Sequence, residues 1–207
     1  MARVKICGLA DAPCVEAAIA GGADWIGFVF FPPSPRFVTP AKARELTAPH
    51  PGGPPRVGLF VNPTISVIAE ALAEVRLDIL QLYGAPDMVA AMRARFGRPV
   101  WQATGVAVPA DLPTGMNGAD ALLIESKPPP GATRPGGNAV SFDWTLTADW
   151  AAPGPWILAG GLDPDNVATA IRASGAAAVD VSSGVERAKG VKDPALIHTF
   201  IRNARAA

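Results

Sequence analysis

Eight short apolar runs punctuate this chain, at 4–7, 25–30, 57–61, 79–82, 100–103, 121–124, 156–159 and 177–181. They are nearly uninterrupted rather than alternating, as expected of strands covered on both faces. Helical patterns separate them. Asp11 opens the first helical stretch, and Thr39-Pro40, Asp163-Pro164 and Asp193-Pro194 each place a capping side chain before a proline suited to a first helical turn. Gly21, Gly97 and Gly175 follow helical stretches, as C-terminal caps do. The weakest helical patterns are the fifth, at 110–118, and the sixth, at 145–150. Eight strand–helix units in 207 residues predict an α/β fold, a (β/α)8 TIM barrel forming one domain over residues 1–207. An open doubly wound sheet is the competing arrangement, but the first run is not followed by the Gly-x-Gly-x-x-Gly turn that such sheets use.

Composition narrows the classes. With 49% hydrophobic and 17% charged residues, a chain of this length buries one sizeable core. The formal net charge is zero, so no global field draws in nucleic acid or an anionic membrane surface, and an anionic ligand has to be held locally. No uncharged apolar segment has the length of a membrane span, and the N-terminus runs into a strand without an apolar export region, which predicts a cytoplasmic protein. Two cysteines, Cys7 and Cys14, and two histidines, His50 and His198, suggest free thiols and no metal site.

The chemistry of parallel α/β folds gathers at the carboxyl ends of the strands, and that is where this chain places its reactive groups. Cys7 ends the first run, where a thiol is a candidate base or nucleophile; a buried cysteine is also often an inert small hydrophobe. Arg36 follows the second run in a loop stiffened by Pro32, Pro33 and Pro35. Gln81 lies in the fourth run, Glu125 directly follows the sixth and Asp180 lies within the eighth. Asp180 reads equally as a barrel-interior carboxylate satisfied by Lys5 or by backbone amides, and Cys14 as a helix-face residue without chemistry. After the seventh run comes Ala159-Gly160-Gly161-Leu162, and after the eighth Ser182-Ser183-Gly184. Paired in this way, glycines that bare the backbone amides and serine hydroxyls predict a phosphate pocket. The connection at 126–138, rich in proline and glycine, is too long for a plain connector and falls on the same side.

These motifs resemble the phosphoribosylanthranilate isomerase family of tryptophan biosynthesis. The resemblance runs in register through Lys5-Ile6-Cys7-Gly8, Gly27-Phe28-Val29-Phe30, Ser34-Pro35-Arg36, Leu80-Gln81-Leu82, Phe142-Asp143-Trp144, Ala159-Gly160-Gly161-Leu162 and 180–186 with Gly190-Val191-Lys192-Asp193. It implies a cofactor-free Amadori rearrangement of N-(5′-phosphoribosyl)anthranilate to the carboxyphenylamino deoxyribulose phosphate. By position, Cys7 would be the general base at C2′ and Glu125 the general acid on the ring oxygen. Arg36 would hold the anthranilate carboxylate; Gly160, Gly161, Ser183 and Gly184 the phosphate; and Gln81 and Asp180 further contacts to the substrate. Three positions depart from the family pattern. Glu125 stands for aspartate, Tyr83 for the histidine of Gln-Leu-His-Gly, and Ala139 for a glycine. Two alternatives stay open: a diverged paralogue acting on a related phosphosugar, and a non-catalytic phosphate-ligand binder. The expected partner is a phosphorylated small molecule, with neither nucleic acid nor membrane, and the assembly a monomer or homodimer.

Overall fold

The computed structural model describes residues 1–127, Gly131 and residues 143–207. Eight parallel strands close in sequence order: β1 (Arg3–Cys7), β2 (Trp25–Val29), β3 (Arg56–Val61), β4 (Ile79–Tyr83), β5 (Val100–Val106), β6 (Ala121–Ser126), β7 (Trp156–Leu158) and β8 (Ala178–Val181). Each apolar run seeds one strand, and closure is made by β1 on β8, pairing Lys5 with Asp180 and Ile6 with Val181. The predicted TIM barrel is the fold observed.

Six α-helices pack outside: α1 (Ala12–Ala20), α2 (Pro40–Thr47), α3 (Ile65–Glu74), α4 (Pro86–Phe96), α5 (Val167–Ser174) and α6 (Pro194–Arg205). The caps act as read at three starts: Asp11 accepts from Cys14 N–H at 3.0 Å, Thr39 from Lys42 N–H at 3.1 Å and Asp193 from Ala195 N–H at 2.8 Å. The start at Asp163 needs correction. Asp163 accepts from the N–H groups of Asp165 and Asn166, an Asx-type turn, and α5 begins only at Val167. Gly97 and Gly175 end α4 and α5 in the left-handed region, at φ 59° and 70°, whereas Gly21 ends α1 with an ordinary φ of −71°.

The fifth and sixth units also differ from expectation: each carries a single 3₁₀ turn, Pro109–Asp111 and Trp144–Thr147, in place of an α-helix. In the fifth, Pro113 blocks continuation, and Asn117 and Gly118 take φ of 49° and 82°, which no helix accommodates. After β8 comes an element the hydrophobic pattern did not announce, a hairpin of β9 (Glu186–Ala188) and β10 (Val191–Lys192).

Two apolar layers build the body. Outward strand residues such as Ile6, Phe28, Phe60 and Leu80 pack under the helices with Val15, Ile68, Ile197 and Phe200. Inside, Trp25, Val57, Ile79, Trp101, Ala121, Ile157 and Ala178 plug the floor; Trp25 meets Trp101 edge-to-face at 5.1 Å, and the Arg3 guanidinium covers Trp25 at 4.0 Å. Period two then carries each strand upward from this floor, to Lys5 and then Cys7, Gln81 and then Tyr83, Leu123 and then Glu125, Asp180 and then Ser182. The polar interior thus begins one layer above the tryptophans.

Candidate active site

At the carboxyl ends of the strands a cavity opens, walled by Cys7, Arg36, Tyr83, Glu125, Asp180 and the turns carrying Gly160, Gly161, Ser182 and Ser183, with Val29, Phe31 and Leu59 as apolar surface. Most of the nominated residues therefore meet at one mouth. Gln81 lies one layer beneath it, fully buried, its Oε1 accepting from Lys5 Nζ at 2.8 Å, and Gly184 lies behind the wall. Positions 128–130 and 132–142, which include most of the long connection after β6 and Ala139, fall outside the described residues.

Cys7 reaches the mouth as the last residue of β1, with Gly8 turning the chain away at φ 74°. Burial pushes its thiol up; Lys5 pulls it back down, Asp180 adds to the rise, and the balance leaves the thiol above its ordinary value. The second thiol, Cys14, is buried in α1 and, through burial and its contact with Asp11, pushed up to about 12, consistent with a residue without chemistry.

Glu125 stands across the mouth, 4% exposed. Desolvation carries its carboxyl to about 8; the Tyr83 phenol and Lys5 pull the other way and Asp180 reinforces the rise. Among the described residues its Oε1 has no hydrogen-bond partner. A carboxyl so placed keeps its proton at neutral pH, the condition for a general acid. Asp180 is the interior carboxylate satisfied by Lys5, its Oδ1 2.8 Å from Lys5 Nζ, and its side chain also forms part of the cavity wall.

Arg36 shows what the hairpin is for. Its Nε and Nη2 donate to Glu186 Oε1 and Oε2 at 2.5 and 3.0 Å, a two-point fork that Gly190 N–H supports by donating to Oε2 at 2.9 Å. Lys192 joins from β10, 3.5 Å from Oε1, and donates to Ser182 O at 2.8 Å. Burial pushes the Glu186 carboxyl up, but Arg36, Gly190 and Lys192 outweigh it and hold it below the ordinary value, so it stays an anion. Glu186 and Lys192 were not singled out from sequence. Their only signal was membership of the motif segments, because the fork joins residues 150 positions apart. Lysine cannot reproduce it: Arg36→Lys is expected to lower kcat/KM by roughly ten- to hundredfold, the scale of about 1.5–3 kcal/mol for a charged hydrogen bond, with folding retained in circular dichroism. An unchanged kcat/KM would remove Arg36 from the site.

The two glycine turns lean on each other. Gly160 and Gly161 adopt φ of 82° and 67°, and a Cβ at Gly160 would lie 2.6 Å from Ser126 N. Asn166 braces the first turn, its Nδ2 donating to Gly161 O and its Oδ1 accepting from Asp163 N–H, both at 2.9 Å. A Cβ at Gly184 would sit 1.9 Å from the Leu162 carbonyl oxygen. Gly184→Ala must therefore separate the turns; a stability loss of about 1–3 kcal/mol is expected, together with a raised KM for a phosphorylated substrate and a smaller effect on kcat. Melting curves and steady-state kinetics read the two.

A closed parallel barrel with its polar cavity at the strand carboxyl ends, flanked by glycine turns after the last two strands, places the chain in the (β/α)8 class, whose sites lie at that face. Within that class, residues 4–203 match the family model of N-(5'phosphoribosyl)anthranilate (PRA) isomerase, and the chain belongs to that family. It is 56% identical, over the full length of both chains, to N-(5'-phosphoribosyl)anthranilate isomerase of Acidiphilium cryptum. A solved structure of monomers of the dimeric Thermotoga maritima isomerase superposes with a TM-score of 0.84 at 34% identity, covering both chains fully. Another phosphoribosyl anthranilate isomerase, solved in complex with reduced 1-(o-carboxyphenylamino)-1-deoxyribulose 5-phosphate, gives 0.83 at 33% identity with the same coverage. Among the described residues no helix is long and apolar enough to cross a membrane.

Proposed function

We propose that this chain catalyses the Amadori rearrangement of N-(5′-phosphoribosyl)anthranilate to 1-(2-carboxyphenylamino)-1-deoxyribulose 5-phosphate, with Glu125 as general acid and Cys7 as general base. The observation that carries this is a thiol and a proton-holding carboxyl facing one cavity, with glycine turns suited to phosphate on its wall. Full-length similarity to named isomerases favours this reading over a related phosphosugar or a purely binding role.

Glu125 gives its proton to the furanose ring oxygen as the C1′–O bond breaks and the anthranilate nitrogen lone pair forms the C1′=N iminium. The Cys7 thiolate then takes the C2′ proton, and the released electron pair neutralises the nitrogen, leaving an aminoenol. Loss of the enol proton from the C2′ hydroxyl and gain of one at C1′ give the ketone. One proton has left the acid and one has reached the base, so the spent enzyme is a thiol facing a carboxylate. Arg36 holds the anthranilate carboxylate, and Gly160, Gly161, Ser183 and Gly184 the phosphate, whose charge is met by amides and hydroxyls in a chain of zero net charge. Asp180 borders the sugar, with Gln81 supporting from below. The soluble phosphorylated substrate suits a cytoplasmic enzyme, and the dimeric Thermotoga maritima relative makes a homodimer the assembly to look for.

The direct test is turnover of N-(5′-phosphoribosyl)anthranilate, followed by loss of its fluorescence, together with rescue of a tryptophan auxotroph lacking the isomerase. Failure of both sinks the activity. The pH profile adds a sharper expectation. The productive pair is thiolate with carboxylic acid, yet the carboxyl titrates near 8 and the thiol above its ordinary value. Below about 8 the thiol is protonated; above the thiol's own titration both groups are ionised and no acid remains. Between the two, the productive pair is the minor tautomer of thiol with carboxylate. In kcat/KM, which reports the free enzyme, a bell is expected whose maximum lies on the alkaline side of 8. A maximum near 6 would contradict it.

A further inference from the structure

We propose that Lys5 is the positioning residue of the Cys7 base: its buried ammonium, anchored on Asp180 and Gln81, lies beside the Cys7 sulfur inside the barrel and stabilises the thiolate. This rests on the reading of Cys7 as the base and deepens it by naming what makes a thiolate tolerable in a closed interior.

Lys5 is fully buried, the most costly place for an ammonium. Its Nζ has three N–H donors. Two are directed at Asp180 Oδ1 and Gln81 Oε1, both at 2.8 Å. Cys7, two residues further along β1, projects from the same strand face. The neighbouring position on β2 is Gly27, paired with Cys7, and a Cβ there would lie 3.1 Å from both Cys7 Sγ and Lys5 Cε. The two side chains thus converge on a volume that glycine leaves open, and the ammonium acts on the sulfur by its charge.

Stability does not account for this arrangement. A buried ion pair replaced by apolar residues of similar volume is often neutral or stabilising, and the floor beneath is already filled by tryptophans. An internal cation next to a thiol has a use: it counters the desolvation that otherwise keeps the thiol protonated. The other groups acting on the sulfur are Asp180 from β8, which opposes ionisation, and Lys192 from β10, which favours it; Tyr83 and Glu125 line the same cavity from β4 and β6. Lys5 is thus the cation next to Cys7 on its own strand, and Asp180 both anchors it and moderates its pull.

The opposed signs supply the test. In a Cys14→Ala background, so that one thiol remains, the rate of iodoacetamide alkylation is followed against pH by mass spectrometry in the substrate-free enzyme. Lys5→Met should move the midpoint of Cys7 alkylation upward by a pH unit or more, leaving at least tenfold less thiolate at a given pH below it. Asp180→Asn, which keeps the lysine and removes the anion, should move it downward. Should Lys5→Met fail to fold because Asp180 is left unpaired, Lys5→Met with Asp180→Asn removes both charges at nearly constant volume and should still titrate above the wild type, the lysine being the stronger influence. Midpoints that stay in place, or shift in the same direction for Lys5→Met and Asp180→Asn, would show a merely structural lysine and overturn the proposal. Turnover of Cys7→Ala is measured in parallel. If that variant is dead while the midpoints do not move, the base assignment stands and Lys5 loses its role. If it retains turnover, the base assignment itself falls, and the part proposed for Lys5 in catalysis falls with it.

Discussion

Cys7→Ala is expected to lower kcat by 10²–10⁴ while leaving the fold intact, the usual scale for removing a general base. The side chain is small and stands at the mouth among Val29 and Leu59, so its loss opens little space in the body of the barrel. Its effect should therefore appear in rate and not in melting temperature. No neighbour is placed to take over cheaply: Asp180 is already committed to Lys5, and Glu125 must hold a proton to act as the acid. Cys14→Ala provides the control. That residue lies in α1 beneath the helix shell and should leave turnover unchanged. Steady-state kinetics on the two variants, with thermal melts, decide the matter. Near-normal turnover in Cys7→Ala would reject the assignment.

Glu125→Gln should be comparably severe, because the amide keeps the shape and contacts of the carboxyl but has no proton to give the ring oxygen. Two further readouts follow from the burial of this residue. The titration near 8 should disappear from the kcat/KM profile of any residual activity, since that step belongs to the carboxyl. Glu125→Asp should retain turnover well above Glu125→Gln, as the acid survives and takes the arm length of the family's aspartate. The shorter side chain draws the carboxyl back by about 1 Å, a distance that matters for proton transfer, and loosens its interaction with Tyr83. If Glu125→Gln turns over at the wild-type rate, protonation comes from water or another group and the role at the end of β6 is withdrawn. If the wild type does not isomerise while Glu125→Asp does, the natural chain has diverged towards another phosphosugar.

The amino-acid order alone determined the barrel, because continuous apolar runs flanked by caps and glycines are local signals, and each became a strand. It also marked the mouth: Cys7, Arg36, Glu125 and the two glycine turns follow or end strands, and a parallel barrel presents all such positions on one face. The fifth and sixth helices failed for reasons partly legible, Pro113 and the Asn117–Gly118 pair among them, and the Asx turn that delays α5 is equally local, Asp163 accepting from the N–H groups of Asp165 and Asn166. What only the tertiary structure decided was charge. The pairing of Arg36 with Glu186 joins β2's loop to the hairpin after β8, and that of Lys5 with Asp180 arises where the last strand closes on the first. Glu125 titrates near 8 because folding takes its carboxyl out of water. Secondary structure follows from neighbours in the chain, whereas ionisation follows from neighbours in space and from the exclusion of solvent, and both exist only once the barrel has closed.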